Sequence, residues 1–215
     1  MGAGMEKVLP GLYLGSKIDS EDKEQIEKNK ITHILSIHDD AREGKFKVWN
    51  FYWNESSLGI ILLYLQKKIK YLCIQASDYE YQDLSHYFSN TIDFIHKARL
   101  EGGNVLVHWY GKYHIFFYHF TFLWVFWIYS MAGVSRSTTI VIAYVMTVTD
   151  TPWLDAMNAV RGARKITNPN LGFQKQLYGF NEKGVIKVIY FLKFFFVKSF
   201  LMKWNPVGDK LLRYH

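Results

Sequence analysis

"VLVHWYGKYHIFFYHFTFLWVFWIYSMAGVSRSTT", from Val105 to Thr139, decides how this chain is read. Its opening, VLVH, is a short unbroken apolar run suited to a strand buried on both faces. Its close, AGVSRSTT (Ala132–Thr139), passes through small residues, an arginine and hydroxyls into the apolar run IVIAYVM, the pattern of a turn entering a helix. Backbone N–H groups at such a helix start converge on a tetrahedral anion, and the helix dipole adds to their pull. Arg136 can grip two phosphate oxygens at once, which a lysine cannot do. Ser137 or Thr138 can offer a hydroxyl to a nucleophile lying below. Taken alone, GVSRS equally describes an ordinary capped helix start; it lacks the lysine and spacing of a nucleotide P-loop, and it is not GxSxG. Between the two halves stand 21 residues, Tyr110–Ser130, of which 11 are aromatic.

Aromatic residues cluster elsewhere too. The segments 45–66, 110–130 and 184–215 hold 25 of the 38 aromatic residues, and together they carry the whole formal charge of +7. The other 140 residues are neutral and ordinary in composition, so the basic balance does not mark the domain as a nucleic-acid binder. No RNA-recognition, helix-turn-helix or zinc-finger pattern adds to it. A single cysteine, Cys73, forbids an internal disulfide and fits a reducing, intracellular compartment. MGAGMEKVLPG lacks the apolar core of a secretory signal.

Strand and helix patterns alternate through the ordinary residues. KVLPGLYLGS reads as a short strand with a Pro-Gly turn, and SEDKEQIEKNK as one helix with an acidic start and basic end. ITHILSIH, KYLCIQAS and NVLVH read as strands. DLSHYFSNTIDFIHKARLEGG places Leu84, Phe88, Ile92 and Ile95 at helical spacing and stops at paired glycines. SRSTTIVIAYVMTVTD and PWLDAMNAVRGAR are helices, and NPNLGFQKQLYGF is a turn followed by a helix. The expected fold is α/β, with a central, mostly parallel sheet flanked by helices.

Deleting 110–130 on paper and writing cysteine for Trp109 gives VLVHCMAGVSRS, the HCxxGxxRS signature of cysteine-dependent protein phosphatases. With MGAGMEKVLPGLYLGS, NKITHILSIHDDAR, KYLCIQASD, DFIHKARLEGGNVLVH, AGVSRSTTIVIAYVMTVTD and NPNLGFQKQL, the chain resembles the small atypical dual-specificity protein phosphatases of the N-myristoylated type. The resemblance covers the ordinary residues in order and implies a dual-specificity phosphatase domain over 1–183, interrupted at 45–66 and 110–130. An atypical basic and aromatic tail over 184–215 follows. It implies a thiolate nucleophile, a loop arginine that stabilises the transferred phosphoryl group, and an aspartate serving first as acid and then as base. By position these are Trp109 in place of the absent cysteine, Arg136 and Asp78. Ser137 is implied to assist release of the thiolate, His108 to support the nucleophile, and Met131, Ala132, Gly133, Val134, Ser135 and Arg136 to cradle phosphate. Cys73 matches a core position and is expected to be a buried structural residue rather than a second nucleophile.

The aromatic insert reads in three ways. A retained intron fits the codons: an exon ending in TG, read into GT, gives Trp109 and a T-first codon for Tyr110, and Ser130 can carry the closing AG. Excision removes 63 nucleotides, keeps the frame and restores cysteine. Segment 45–66 has the same composition, with less certain boundaries. A membrane segment is the second reading, yet Ile115–Tyr129 is shorter than the ~20 residues of a spanning helix. A phosphoprotein-binding pseudophosphatase is the third. In each case the insert is expected to part His108 from Met131 and deprive the loop of its anchoring strand.

Gly2 is an expected myristate acceptor, against which stands Glu6 where Ser or Thr is usual. One acyl chain gives only marginal, reversible anchoring. The tail lysines 187, 193, 198 and 203 do not keep to one helical face. His108, His114 and His119 have no carboxylate or cysteine beside them and are not expected to bind metal. The resulting expectation is a monomeric hydrolase of phosphoproteins, needing no cofactor, cytoplasmic and peripheral at the inner face of the plasma membrane.

Overall fold

The computed structural model describes residues 4–38, 69–110 and 134–183. The segments 45–66 and 184–215, and all of 110–130 except Tyr110, lie outside them.

Five strands form one sheet in the order β1-β2-β5-β3-β4, with β1 Glu6–Leu9, β2 Leu12–Gly15, β3 Ile31–His38, β4 Lys70–Gln75 and β5 Asn104–Tyr110. Among the described residues only the β1–β2 pair is antiparallel. KVLPGLYLGS therefore makes two strands rather than one. Pro10 fixes the first turn angle, and Gly11, at φ +76°, takes a left-handed conformation that L side chains avoid. SEDKEQIEKNK is likewise split. α1 (Lys17–Glu21) ends and α2 (Lys23–Lys28) begins at Asp22, whose extended backbone breaks the helix while its carboxylate caps the Gln25 amide.

Period-two alternation sorts β5 between two cores. Val105, Val107 and Trp109 face the larger core, built with α3 (Phe88–Leu100), α4 (Arg136–Thr149), α5 (Trp153–Ala163) and α6 (Leu171–Lys183). Leu106 faces a smaller one with Ile26 of α2. Leu84, Phe88, Ile92 and Ile95 all reach the larger core, as their spacing predicts. α4 is buried from Arg136 through Thr147 because α3, α5, α6 and the sheet surround it. Its threonines stay satisfied: Thr139, Thr147 and Thr149 each donate to the carbonyl four residues back. Cys73 is half-buried on β4, not buried as expected; among the described residues no further strand covers that side. Desolvation still pushes its thiol up to about 12, far from the thiolate a nucleophile needs.

Among the described residues no helix is long and apolar enough to cross a membrane, and no group of three His, Cys, Asp or Glu residues could hold a metal ion. His114 and His119 lie outside them, as does the Ile115–Tyr129 stretch.

Candidate active site

The parallel strands β3, β4 and β5 share one C-terminal edge, where His38 is paired with Tyr110 and with Gln75. α4 starts at that edge. In open α/β sheets ligands collect outside these carboxyl ends. Here Arg136 opens α4 with its side chain only 2% exposed. Its Nη1 donates to the Ala76 carbonyl at 2.8 Å, and its Nε lies 3.5 Å from Asp78 Oδ2. The Trp109 ring lies against the guanidinium, 4.6 Å from centroid to Cζ. Trp109 is 8% exposed, and its indole Nε1 has no hydrogen-bond partner among the described residues.

This contact bears on the expected loss of the loop's anchoring strand, while Met131 lies outside the described residues. β5 runs on through Trp109 to Tyr110, and the start of α4 rests beside it, so strand and helix remain together across the insert. The ends of the intervening chain leave and return at the same edge.

Asp78 follows β4 and is held by three groups. Its Oδ1 accepts from Ser135 Oγ at 2.7 Å and from Asn170 Nδ2 at 2.9 Å, while Oδ2 faces Arg136. Asn170 also caps α6, because its Oδ1 accepts the Phe173 amide at 2.9 Å. Its own amide donates to Ser135 Oγ at 3.2 Å. One asparagine thus ties the carboxylate loop, the start of α4 and the start of α6 together. Ser135 is the N-cap residue of α4 yet caps nothing with its side chain, which is spent on Asp78. The first-turn amides of α4 are left without a side-chain cap, which suits an incoming anion.

The two candidate hydroxyls separate clearly. Thr138 Oγ1 donates to the Val134 and Ser135 carbonyls, both at 2.7 Å. Ser137 Oγ is fully buried and has no partner among the described residues. Ser137 therefore has the unspent hydroxyl. His108 lies on the opposite face of β5 from Trp109, completely buried, with Nδ1 3.2 Å from the Trp109 carbonyl oxygen and Nε2 3.5 Å from Tyr71 Oη. Burial drives its pKa down to about 4; the contact with the Trp109 carbonyl opposes this, and His38 and Lys17 add to it. The imidazole is neutral at pH 7.

Val134 joins the loop after α5 through its carbonyl, which accepts the Asn168 amide at 2.8 Å. Met131, Ala132, Gly133 and Gly2 lie outside the described residues. Glu6 sits in β1 with its carboxylate on buried Arg164, so position six holds a strand-to-helix ion pair. Sequence reading missed Asn170 and the Ser135–Asp78 bond. NPNLG advertised only a turn before a helix, and nothing local tells which distant carboxylate an N-cap asparagine will meet.

The family profile described as dual specificity phosphatase, catalytic domain, matches residues 12–109 and 126–183 and leaves 110–125 outside. Dual specificity protein phosphatase 22 of Xenopus tropicalis is 42% identical over 210 residues, covering 98% of this chain and 78% of the relative. A crystal structure of DUSP15 superposes with a TM-score of 0.66 at 38% identity, over 89% of this chain and 96% of the other. The human tyrosine phosphatase-like serine/threonine/tyrosine-interacting protein does so with a TM-score of 0.59 at 29% identity, over 83% and 96%. The mixed sheet flanked by helices is that of these structures.

Proposed function

The chain belongs to the dual-specificity phosphatase family, and on that premise we propose that its site hydrolyses phosphotyrosine and phosphoserine or phosphothreonine in proteins once a cysteine stands at position 109. The observation that carries this reading is Arg136 at the uncapped start of α4, buried beside Asp78. A thiolate at 109 attacks phosphorus, and the bond from phosphorus to the leaving oxygen breaks. Arg136 and the helix amides hold the equatorial oxygens. Asp78, protonated, donates to the leaving oxygen. It then takes a proton from water as that water attacks the phosphocysteine and releases the thiolate. Ser137, with its unspent hydroxyl, donates to the departing sulfur.

With Trp109 in place the chain has no thiol there and is inactive. Its indole also lies against the guanidinium of Arg136. The segment 110–130 is read as a retained intron, a reading supported by the closeness of Trp109 and Arg136, which lie on either side of it.

The test expresses the chain beside a form lacking 110–130 and carrying Trp109→Cys, with an aryl phosphate as substrate. Turnover by the second alone is expected, and equal rates from both would sink the assignment. Phosphopeptide binding without turnover by the unaltered chain would favour the pseudophosphatase. The domain is assigned to 1–183, as a cytoplasmic monomer with a myristoyl group on Gly2 giving reversible contact with the inner membrane face. An unacylated N-terminal peptide in the mass spectrum of protein from eukaryotic cells would remove the lipid.

A further inference from the structure

Tyr79, Glu80 and Tyr81 follow the catalytic candidate Asp78 directly. Their loop is pinned, although it is at the surface. The Gln82 amide donates to the Tyr79 carbonyl at 3.0 Å, and Gln82 Oε1 accepts the Ser77 amide at 3.2 Å. Gln176 of α6 donates to the Gln82 carbonyl at 2.7 Å and accepts the Leu84 and Ser85 amides. Gly172 lets α6 approach so closely that a Cβ there would overlap the Glu80 backbone. On this fixed base the two tyrosine rings are parallel, 1° apart in plane and 5.4 Å between centroids. They nevertheless stay in water, 58% and 86% exposed.

A rigid, exposed aromatic pair costs little ordering entropy on binding, and its ring faces attract cations. The residue between them in sequence, Glu80, is also exposed. Asp78 is already committed to Ser135, Asn170 and Arg136. Ring faces plus one carboxylate suit a guanidinium or ammonium and disfavour an acid. We propose that Tyr79, Glu80 and Tyr81 form a recognition platform for an arginine or lysine next to the phosphorylated residue of a peptide substrate. This rests on reading the neighbouring site as the phosphate site.

The test uses the chain carrying Trp109→Ser, which removes the indole from Arg136 without supplying a thiol. Binding of fluorescent phosphotyrosyl peptides with Arg, Ala or Glu beside the phosphotyrosine is read by anisotropy. The Arg peptide is expected to bind about 5-fold tighter than the Ala peptide, in a phosphate-dependent manner. That preference is expected to shrink in Glu80→Gln and to vanish in Tyr79→Ala/Tyr81→Ala. Equal affinities, no binding of any peptide, phosphate-independent binding, or a preference that survives the double substitution would each overturn the proposal. Failure of the phosphatase reading shows separately, as no aryl phosphate turnover by the excised form with cysteine at 109.

Discussion

Two buried arginines in this molecule make nearly the same contacts and sit at opposite kinds of helix end. Arg164 is 4% exposed, pairs with Glu6 and lies 3.5 Å from the Leu14 carbonyl. Arg136 is 2% exposed, donates to the Ala76 carbonyl and faces Asp78. Arg164, however, is the C-cap of α5, where the dipole welcomes a cation. It joins α5 to the β1–β2 hairpin, and its charge is answered entirely by the scaffold. Arg136 begins α4, where the dipole opposes a cation and the amides favour an anion. Asp78 answers it from an exposed loop, with a carboxylate about one-third exposed. The first arginine joins two parts of the scaffold, while the second stands at the helix start where the proposed phosphate site lies.

The comparison breaks or sharpens at three places. The largest effect belongs to Arg136→Lys in the excised form with cysteine at 109, where kcat is expected to fall about 10³-fold while the unfolding midpoint barely moves. A large stability loss with kcat intact would reverse the two assignments. Next is Arg164→Ala, expected to cost about 3 kcal/mol in urea unfolding because Glu6 loses its partner, with kcat per folded molecule unchanged. A fall in kcat matching that of Arg136→Lys would erase the distinction. The smallest is Asn170→Ala, expected to lower kcat about 10-fold with little change in KM. If Asn170 positions Asp78, the loss is greater for alkyl phosphates, whose leaving groups need the proton, than for aryl phosphates. Equal losses on both would leave Asn170 as a helix cap only.

Much of the scaffold was legible because its signals are local. Apolar strands, the spacing of Leu84, Phe88, Ile92 and Ile95, and the glycines ending α3 each need only neighbouring residues. The Pro10–Gly11 turn was legible for the same reason, whereas the break at Asp22 was missed because the charged composition continues through it. At the site, Arg136 was read from its loop and Asp78 from the resemblance, and the structure brings them within 3.5 Å. Asn170, 92 residues from Asp78, has no local mark. The loop residues alone left Ser137 and Thr138 open, and the resemblance chose Ser137; the folded turn bends the Thr138 hydroxyl back to its own helix and leaves that of Ser137 unspent among the described residues.

The parallel register of β3 and β4 bears differently on the two interior stretches of unusual composition. Chain from Tyr110 to Val134 is a detour, because both ends stand at one edge of the sheet and the span between them can shorten freely. Chain from His38 to Lys70 is a bridge. Pairing of His33 with Lys70 and His38 with Gln75 obliges it to travel back the length of the strands, roughly 17 Å at about 3.3 Å per residue. Without 45–66, nine residues remain between those ends, and at full extension they reach about 30 Å. The shorter bridge still closes, and its minimum length is set by strand geometry, whatever its sequence.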